Sequence, residues 1–560
     1  MLPVRPLPHW RLCTAALSTL LFVVAPAAEG ARQFFRGSWE RHPFFGAAGG
    51  GVGREPQTGQ CIADGDRPNV VLLLADDLGY GDLACYGHPT QSGNAVDELA
   101  ARGLRFTQFY AADSMCSPSR AALLTGRYAQ RIGVSGGRRV FTESDSGGLP
   151  AEERTLAEAL RSAGYRTGMV GKWHLGLNAF NRTDGTHLPS RHGFDFVGTL
   201  LPFSNLWECD ESGFFRSEPA DNRRCFLYHG ERLVQQPIRF ETLTARLIAD
   251  WHAFLDTTSR DGRPFFFYFS FPHVHSAQFA SPTFKNSSSR GLFGDNLAEM
   301  AWAVGEVRES LVAAGLDAST LLLFTSDHGP HRELCNYGGS TGGLKGGKSN
   351  SYEGGFRVPF IAHMPGVVPA GAVSEAPLSA LDLLPTLERL AGAVEGDGDA
   401  ERVLDGVDTA DCLLGRETCS AERLFDQRPL FYFCNRRLMA VRSGRFKVHW
   451  WTSPLVNESS DASGYRCPGG KPLSDWYVSQ TCPDEQLERR EPPLVFDLES
   501  DPFERFPLLS PPARLLDEAA RRAGALLRSI AAEARPEQLG HFTDLVVPCC
   551  DAPLCTCDYV

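Results

Sequence analysis

Four apolar runs alternate with helical patterns between residues 67 and 430, and ionisable residues follow each run directly. Continuous apolar runs of this length are typical of strands that helices cover on both faces. We therefore predict an α/β fold with a large, mostly parallel or mixed sheet flanked by helices. The four predicted strands are Asn69–Ala75, Tyr165–Val170, Phe265–Phe271 and Leu321–Ser326.

The pattern changes after about residue 430. The segment Leu438–Trp451 predicts a hairpin, and Pro493–Glu504 predicts another strand and turn. Apolar positions at helical spacing within Pro511–Ala534 predict an amphipathic helix. We expect a small antiparallel sheet covered by this helix. The predicted domains are a main α/β domain at 67–430 and a C-terminal antiparallel-sheet domain with a Cys-rich tail at 431–560.

The first thirty residues (1–30) predict a signal peptide, because Arg5 and Arg11 precede a short apolar stretch that small residues follow. Gly-rich residues 31–66 predict an irregular lead-in. No later apolar run reaches the roughly 18 residues of a membrane span, and residues 204–261 carry many charges. We therefore predict a protein of the secretory pathway without a stable membrane span. The lysosome, the endoplasmic reticulum lumen and the extracellular space all stay open.

The cysteine content agrees with an oxidising compartment. Of 16 cysteines, Cys13 lies in the predicted signal and Cys116 is reserved for chemistry, which leaves an even number for disulfides. Four cysteines crowd the C-terminus, and in a secreted chain disulfides are favoured there over a zinc knuckle. These four are Cys549, Cys550, Cys555 and Cys557. Three glycosylation sequons begin at Asn181, Asn286 and Asn457.

The net charge of −12 argues against a nucleic-acid partner, since no basic stripe offsets it. Such a chain can still bind an anion where cationic side chains concentrate in one pocket. Because ligands of open parallel sheets bind at the carboxyl ends of strands, the ionisable residues after the four strands predict one shared site. These residues are Asp76 and Asp77, Lys172 and His174, His273 and His275, and Asp327 and His328.

Three carboxylates, those of Asp76, Asp77 and Asp327, predict a cation site at these strand ends. Adjacent acids repel each other unless a cation, a proton or a donor compensates, and hard oxygen donors favour Ca²⁺ or Mg²⁺ over softer metals. The alternative is a loop with solvated acids. His273 and His275 alone also fit half of a zinc site, although no third ligand follows at a suitable spacing.

Residues 116–127 read Cys-Ser-Pro-Ser-Arg-Ala-Ala-Leu-Leu-Thr-Gly-Arg. We predict that Cys116 lies just ahead of a helix that Ser117 or Ser119 caps. A helix N-terminus favours a nearby anion, and Arg120, four residues on, shares the face of Cys116. The alternative is a disulfide cysteine in a polar turn.

This dodecamer, together with Asp76-Asp77-Leu-Gly-Tyr-Gly-Asp and Ser326-Asp327-His328-Gly329, resembles the sulfatase family. The resemblance implies an alkaline-phosphatase-like fold. It also implies that a formylglycine-generating enzyme oxidises Cys116 to formylglycine during maturation, and that the hydrate of this aldehyde attacks sulfur. One Ca²⁺ is implied between the metal motifs and position 116. The implied metal ligands are Asp76, Asp77, Cys116, Asp327 and His328.

Two further segments resemble the family's sulfate-binding motifs, Gly171-Lys172-Trp173-His174-Leu175-Gly176 and the stretch around Lys348 from Gly346 to Pro359. In this resemblance His174 takes a proton from the aldehyde hydrate and Arg120 holds the hydrate. The implied substrate-binding residues are Lys172, His275, Lys348 and, on a looser alignment, Ser204. The implied catalytic residues are Cys116, Arg120, Lys172, His174, His275 and Lys348.

We therefore predict a sulfuric ester hydrolase of the arylsulfatase type, most similar to the steroid sulfatase and arylsulfatase branch but without its membrane hairpin. Its substrate is a small-molecule or glycan sulfate ester. The sequence leaves aryl, steroid and sugar alcohols open, and it leaves the oligomeric state open. One alternative is a phosphoesterase of the related fold, which needs a Ser or Thr nucleophile. Another is an inactive secreted binding protein on the same scaffold.

Overall fold

A mixed sheet of twelve strands lies at the centre of the part of the chain that the structure describes, and a four-stranded antiparallel sheet follows it. The computed structural model describes residues 67–559 without 92, 205–206, 208, 211–214, 216–221, 259, 394–401, 454–466 and 468–481. The predicted signal peptide, the lead-in at 31–66 and the sequon at Asn457 lie outside the described residues.

The elements follow one another along the chain as an alternation of strands and helices, which is the α/β pattern that the sequence predicts. The strands are β1 (Asn69–Ala75), β2 (Leu104–Tyr110), β3 (Arg166–Lys172), β4 (Phe196–Leu201), β5 (Leu227–His229), β6 (Arg232–Gln236), β7 (Phe265–Ser270), β8 (Thr320–Ser326), β9 (Arg357–His363), β10 (Ala372–Ser374), β11 (Leu378–Ser379), β12 (Leu430–Cys434), β13 (Arg437–Ser443), β14 (Phe446–Thr452), β15 (Glu488–Asp497) and β16 (Cys557–Asp558). The helices are α1 (Ala95–Arg102), α2 (Cys116–Thr125), α3 (Leu156–Ser162), α4 (Leu243–Thr258), α5 (Gly291–Ala313), α6 (Glu353–Phe356), α7 (Leu383–Leu390), α8 (Ala410–Leu413), α9 (Ala421–Gln427) and α10 (Ala513–Glu533).

The larger sheet has the order β10-β2-β9-β8-β1-β7-β3-β4-β5-β6-β16, and β11 pairs with β2. Strands β8, β1, β7, β3 and β4 run parallel to one another in its middle. Towards the edges, β9, β5, β6 and β16 run antiparallel to their neighbours. The sheet is therefore mixed with a parallel centre, as predicted.

Strand β1 shows why helices cover both faces of this sheet. Its side chains alternate between two apolar cores, because successive residues of a strand point to opposite faces. Val70 and Leu72 belong to the core that contains α2, α3 and α7. Val71 and Leu73 belong to the core that contains α1, α4 and α5. Since both faces are buried, the strand is apolar throughout, and this continuous run is what the sequence pattern detects.

All four strands predicted from apolar runs are present, and their ends differ from the prediction by at most two residues. The largest difference is in β3, which continues to Lys172. This lysine therefore ends the strand, whereas the sequence analysis places it on the loop beyond. Its position is fixed by the pairing of β3 with β4, in which Lys172 lies opposite Leu201.

The smaller sheet has the order β12-β13-β14-β15, and each pair is antiparallel. Helix α10 covers it, with Ala523 and Ile530 packed in one core with Phe431 and Val441. The hairpin between β13 and β14 turns at Gly444, whose φ of 61° favours glycine. The predicted antiparallel sheet with a covering helix is confirmed, while the domain boundary at residue 430 stays a prediction.

Disulfide bonds join twelve of the described cysteines, and the four at the C-terminus pair with one another rather than forming a metal knuckle. In the described part of the chain, Cys85 and Cys116 are free thiols. The several disulfides are consistent with an extracellular or secretory-pathway protein. The pairs are Cys209–Cys225, Cys335–Cys467, Cys412–Cys419, Cys434–Cys482, Cys549–Cys555 and Cys550–Cys557.

Between β4 and β7 the chain forms β5, β6 and α4. Helix α4 has 16 residues and buries one face, including Leu247 and Trp251, against the larger sheet. Among the helices that the structure describes, none is long and apolar enough to cross a membrane. The sequon residues Asn181 and Asn286 are exposed.

Candidate active site

The carboxyl ends of four adjacent strands, β8, β1, β7 and β3, lie side by side in the larger sheet. Asp76 and Asp77 follow β1, and Asp327 follows β8. Main-chain pairing continues past the strands, since the Asp327 N–H donates to the Ala75 carbonyl at 3.0 Å and the Asp76 N–H donates to the His273 carbonyl at 2.6 Å. This continued pairing brings segments that are distant in sequence to one place.

Helix α2 starts at Cys116, so the cysteine is its first residue. The two serines predicted as caps have another function, because neither side chain caps the helix. Ser117 Oγ donates to the His174 carbonyl at 2.8 Å, and Ser119 Oγ donates to the Asp327 carbonyl at 2.5 Å. The hydroxyls thus tie α2 to the loops after β3 and β8, and the capping prediction is wrong.

The Cys116 thiol lies inside the cluster and is 1% exposed. Its Sγ lies 3.8 Å from Asp76 Oδ1 and 3.2 Å from His328 Nε2. It forms no disulfide with another described cysteine. The alternative of a disulfide cysteine in a polar turn is therefore excluded, and the thiol contacts a carboxylate and an imidazole instead.

Arg120 is fully buried and joins the carboxylates that follow two strands. Its Nη2 lies 2.9 Å from Asp327 Oδ2 and 3.2 Å from Asp76 Oδ1, and its Nη1 donates to Ser270 Oγ at 2.6 Å. Burial disfavours the charge, but Asp327 and Asp76 outweigh burial and raise the pKa of the guanidinium. Arg120 therefore remains charged and holds both carboxylates in fixed positions.

Two lysines pair with the two consecutive aspartates. Lys172 Nζ lies 2.5 Å from Asp76 Oδ2, and Lys348 Nζ lies 2.8 Å from each carboxylate oxygen of Asp77. Both side chains are buried. The loop that carries Lys348 is held by its main-chain N–H, which donates to the Pro330 carbonyl at 2.9 Å. The site therefore combines buried carboxylates with buried cations, and each lysine is paired with one aspartate.

Asp76, Asp77, Cys116 and His328 each direct one potential ligand atom into a common cluster, and these four atoms lie within 4.8 Å of one another. Asp77 has a φ of 60°, an uncommon conformation for a residue other than glycine. Asp327 buttresses the cluster, since its Oδ1 accepts from the N–H groups of Asp77 at 3.2 Å and of His328 at 2.9 Å. Four of the five predicted metal ligands thus share one cluster, and the fifth, Asp327, lies directly beside it.

The pKa values of the carboxylates differ because their cationic neighbours differ. Burial alone raises the pKa of Asp76, but its charged neighbours, Lys172 first and also Arg120, outweigh burial and hold it well below its usual range. Burial also raises the pKa of Asp77, and Lys348 offsets this only in part. Asp77 thus lacks part of the positive charge that a buried carboxylate needs, which fits an additional cation at this cluster.

Three histidines of the site have different charge states. Burial, followed by Lys172, lowers the pKa of His174 well below its usual value, and burial with Lys348 does the same for His275. Burial disfavours the charged form of His328 as well, but Asp327 and Cys116 raise its pKa to about 9. His174 and His275 are therefore neutral near pH 7, whereas His328 carries a proton when no metal ion is bound.

Two residues that the sequence analysis singled out, His273 and Ser204, lie outside the cluster around Cys116. His273 is fully buried, and its Nε2 lies 3.1 Å from Thr244 Oγ1, so it is a residue of the core. Within the described residues, no metal-ligand cluster contains His273 or His275, and the zinc half-site is not formed. Ser204 lies three residues beyond β4, and no hydrogen bond joins its Oγ to another described residue. Its contact with sulfate stays a prediction.

Sequence reasoning missed residues that hold the site from outside. Ser270 ends β7 and accepts from Arg120. A signal for it existed, since it is the one residue without an aromatic ring in the strand Phe265–Ser270. The carbonyl of Phe141 lies 3.0 Å from His174 Nε2. No sequence signal identifies this carbonyl, because a main-chain acceptor is available at every residue.

A free thiol at a helix N-terminus, next to carboxylates, lysines and histidines at the parallel strand ends, is consistent with a hydrolase of esters of tetrahedral anions. The comparison with family models is more specific. Residues 68–393 match the model "Sulfatase", and residues 426–557 match "C-terminal region of aryl-sulfatase". The chain belongs to the sulfatase family, and it is an enzyme of the arylsulfatase type, a sulfuric ester hydrolase.

Sulfatases from other organisms are similar in sequence to this chain over most of its length. An arylsulfatase of Hemicentrotus pulcherrimus is 42% identical over 495 residues, which are 88% of this chain and 87% of the relative. Arylsulfatase A of Homo sapiens is 38% identical over 514 residues, 87% and 94% of the two chains. Steryl-sulfatase of Rattus norvegicus is 36% identical over 550 residues, 85% and 90% of the two chains.

A solved structure supports the fold. The PsFucS1 sulfatase from Pseudoalteromonas superimposes with a TM-score of 0.66 at 24% identity, covering 84% of this chain and 91% of that one. The α/β sheet with a smaller C-terminal sheet is therefore the alkaline-phosphatase-like sulfatase fold that the motifs imply. At this identity the similarity concerns the fold alone.

Proposed function

We propose that this sulfatase cleaves a sulfate monoester with a formylglycine at position 116 and one Ca²⁺. The observation that carries the proposal is the position of the Cys116 thiol, which is free and buried at the start of α2 within 3.8 Å of Asp76 and 3.2 Å of His328. A formylglycine there supplies, as its hydrate, the oxygen nucleophile that attacks sulfur. The conversion is assigned to a formylglycine-generating enzyme of the secretory pathway.

The donor atoms test whether Ca²⁺ fits. The carboxylates of Asp76, Asp77 and Asp327 are hard oxygen donors of the kind that Ca²⁺ prefers. A thiolate is a soft donor that suits zinc, but an oxygen-bearing formylglycine at position 116 makes the set oxygen-rich. His328 is a less usual neighbour for Ca²⁺. The residues thus fit calcium, and the ion supplies Lewis-acid charge for the sulfonyl oxygens.

The chain's own cations bind the sulfate. Lys172 and Lys348 hold buried ammonium groups next to Asp76 and Asp77. Burial opposes the charge of Lys348, but Asp77 raises its pKa, so the group keeps its proton and donates hydrogen bonds to a sulfonyl or leaving oxygen. Preorganised donors of this kind stabilise charge that develops in the transition state. His275 contributes a ring beside them, with Nε2 3.8 Å from Asp77 Oδ2.

His174 is the base of this arrangement. Its Nε2 lies 3.0 Å from the Phe141 carbonyl, and a carbonyl only accepts, so this nitrogen carries the proton. Its Nδ1 is buried without a hydrogen-bond partner among the described residues, which leaves its lone pair available. Burial together with the nearby Lys172 lowers the pKa of the ring and keeps it neutral. We assign to Nδ1 the proton that a hydroxyl at position 116 loses when sulfate is released.

The state of position 116 tests the proposal. We expect mass spectrometry of the tryptic peptide to show an aldehyde in protein from a secretory host, and we expect this protein to hydrolyse an aryl sulfate. Cys116→Ala should abolish turnover. Cys116→Ser should form at most an ester that it cannot release, since one hydroxyl leaves no second proton to remove. Sustained turnover by Cys116→Ser would contradict the mechanism.

The same experiment separates the alternatives. A phosphoesterase would hydrolyse a phosphate ester with the thiol unmodified, and an inactive binding protein would lack both the aldehyde and turnover. The buried cations next to Cys116 favour the enzyme over the binding protein, because burying charge without a function is costly.

Metal content is the second test. Asp77→Asn should lower both the bound calcium and the rate, because carboxylate charge sets the affinity of such a site. Asp517→Asn, an exposed aspartate on α10, is the matched control and should change neither. Metal analysis that finds stoichiometric zinc and no calcium in the active protein would refute the assignment of calcium.

A further inference from the structure

The main chain of His174 has an uncommon conformation. Its φ is 62°, in the left-handed region that residues other than glycine rarely adopt. Such a conformation persists only where the surrounding structure holds it. Two hydrogen bonds do so here, since the His174 N–H donates to the Pro202 carbonyl at 2.9 Å and the His174 carbonyl accepts from Ser117 Oγ at 2.8 Å. A side chain of α2 therefore fixes the peptide group that follows His174.

The Ser117 hydroxyl also holds the residue that binds the imidazole of His174. Ser117 Oγ accepts from the Phe141 N–H at 3.1 Å, and the Phe141 carbonyl accepts from His174 Nε2 at 3.0 Å. Because a hydroxyl can donate and accept at the same time, Ser117, Phe141 and His174 form a closed ring of three hydrogen bonds. The hydroxyl thus holds the main chain of His174 directly and its imidazole through Phe141.

This ring of hydrogen bonds lies away from solvent. Ser117 is 0%, Phe141 is 1% and His174 is 2% exposed, so bulk water does not replace a hydrogen bond that is lost here. The imidazole also meets the ring of Phe203 edge-on, with the centroids 6.5 Å apart. Since Nε2 is bound to Phe141, the orientation of the imidazole leaves Nδ1 as the nitrogen without a partner among the described residues.

Ser117 follows position 116 directly at the start of α2. Its hydroxyl therefore links the residue assigned as the nucleophile to the residue assigned as the base. In the proposed mechanism His174 takes the proton of the second hydroxyl at position 116. The bond from the same carbon to the sulfate oxygen breaks as the carbon–oxygen double bond forms, so that the aldehyde returns and sulfate leaves. Proton transfer of this kind requires the base to lie in the correct geometry.

We propose that Ser117 is a positioning residue, which holds His174 for the release of sulfate through its hydrogen bonds to the His174 carbonyl and to the Phe141 N–H. This inference rests on the proposed function and deepens it, since that function names the base but not what orients it. The proposed mechanism uses His174 in the release of sulfate and not in the attack on sulfur. Loss of the Ser117 hydroxyl should therefore slow only the second of these two steps.

Ser117→Ala removes the hydroxyl, and kinetics with 4-methylumbelliferyl sulfate separate the two steps. We expect kcat per aldehyde at position 116 to fall about 10- to 100-fold, the scale for a misplaced catalytic group. KM should fall in parallel, because kcat/KM depends only on the steps up to the attack on sulfur. A burst of released alcohol should precede the slow steady state, and mass spectrometry of the acid-quenched protein should find a sulfate ester on residue 116. A merely structural role would instead lower kcat at an unchanged KM, without a burst and without the ester.

Thr167→Val is the matched control. Thr167 lies on β3 and is 0% exposed. Its hydroxyl has the same pattern of hydrogen bonds as that of Ser117, since Oγ1 donates to the Gly193 carbonyl at 2.6 Å and accepts from the Asp195 N–H at 3.0 Å. The substitution therefore tests the loss of a buried hydroxyl that does not hold His174. It should leave kcat, KM and the amount of ester unchanged.

Ser117→Cys is the second variant, for the case that the alanine variant does not fold. Its thiol is a weaker hydrogen-bond donor, so kcat and KM should again fall together, though less far. The proposal is overturned if the folded variants keep the kcat of the wild type per aldehyde, or if kcat and kcat/KM fall equally and no ester is found. A wild type that has no aldehyde at position 116, or that hydrolyses no sulfate ester, would refute the proposed function instead, and that result is distinct.

Discussion

Lys172 and Lys348 are the residues at which the proposed binding of the sulfate group is most directly testable. Each ammonium group is buried, and each pairs with one of the consecutive aspartates. An ordinary surface lysine has neither property, and its loss changes stability and activity little. Desolvating an ammonium group costs several kcal/mol, and the paired aspartates offset this cost.

Lys172→Ala and Lys348→Ala should each lower kcat/KM by about 2 kcal/mol or more, the scale for losing one preorganised donor to the transition state. Steady-state kinetics with an aryl sulfate measures this. Lys285→Ala, which removes an exposed lysine, is the control and should leave kcat/KM unchanged. Near-wild-type kinetics for either buried-lysine variant would remove that residue from the site.

At the residue scale, short motifs predicted which side chains meet, because Asp76, Cys116, Lys172 and Lys348 lie in segments with a distinctive residue order. The contacts that hold them were not predictable. The Ser117 hydroxyl bonds to the His174 carbonyl instead of capping α2, since the neighbouring loop supplies an acceptor that the local sequence does not reveal.

At the scale of elements, the short helix α6 connects the site to the C-terminal sheet. The Gly355 carbonyl accepts from the Gly329 N–H at 2.9 Å, directly after His328. The N-terminus of α6 is held by Glu504, whose Oε2 accepts from the Glu353 N–H at 2.6 Å. The loop of the site is thus anchored through α6 to residues that follow β15.

Lys447 on β14 balances the charge of this connection. Its Nζ lies 3.1 Å from both Glu353 Oε1 and Glu504 Oε1, and all three side chains are fully buried. Burial alone raises the pKa of Glu353, but Lys447 and Arg442 outweigh it and lower the pKa to about 2. The pattern of β14 predicted a strand, but it did not predict the lysine's two partners, which come from two separate segments.

Lys447→Met should lower the free energy of unfolding by about 3 kcal/mol or more, because it leaves two carboxylates buried without their cation. Urea denaturation measures this. Arg445→Met is the control from the same hairpin, since Arg445 is 47% exposed and pairs with Asp497, and it should cost less than about 1 kcal/mol. Equal effects of the two substitutions would show that the buried cluster contributes no more than a surface ion pair.

At the scale of the whole molecule, four central strands were predictable from their apolar runs, whereas the shortest strands were not. Strand β1 is apolar over its full length, whereas β5, β10, β11 and β16 have two or three residues each, too few for a pattern to be detected. The pairing of β16 with β6 joins the C-terminus to the larger sheet, and no local signal indicates it.

The fold also buries groups that titrate near neutral pH. His192 is 1% exposed, and its ring lies 5.7 Å from that of Trp173, the residue that follows Lys172. Neither ring nitrogen has a hydrogen-bond partner among the described residues. Burial, with a smaller effect of His187, lowers the pKa of His192 to about 3. The folded state therefore keeps this ring neutral where the unfolded chain takes up a proton.

This difference predicts the pH dependence of stability. Above pH 6.5 the ring is neutral in the folded and in the unfolded state, so its contribution to the free energy of unfolding is complete. As the pH falls from about 6.5 towards 3, only the unfolded state binds a proton, so the free energy of unfolding decreases. Between pH 7 and pH 5 this one group should account for a loss of about 2 kcal/mol, at 1.36 kcal/mol per pKa unit.

Urea denaturation at pH 7 and at pH 5 checks the prediction with His192→Phe, a substitution that keeps an aromatic ring beside Trp173 and removes the titrating nitrogens. The loss of stability between the two pH values should be smaller in His192→Phe than in the wild type by about 2 kcal/mol. His541→Gln, which changes an exposed histidine near the C-terminus, should retain the wild-type difference. If His192→Phe and the wild type lose the same free energy on acidification, the ring of His192 takes up its proton in the folded state and burial does not exclude it.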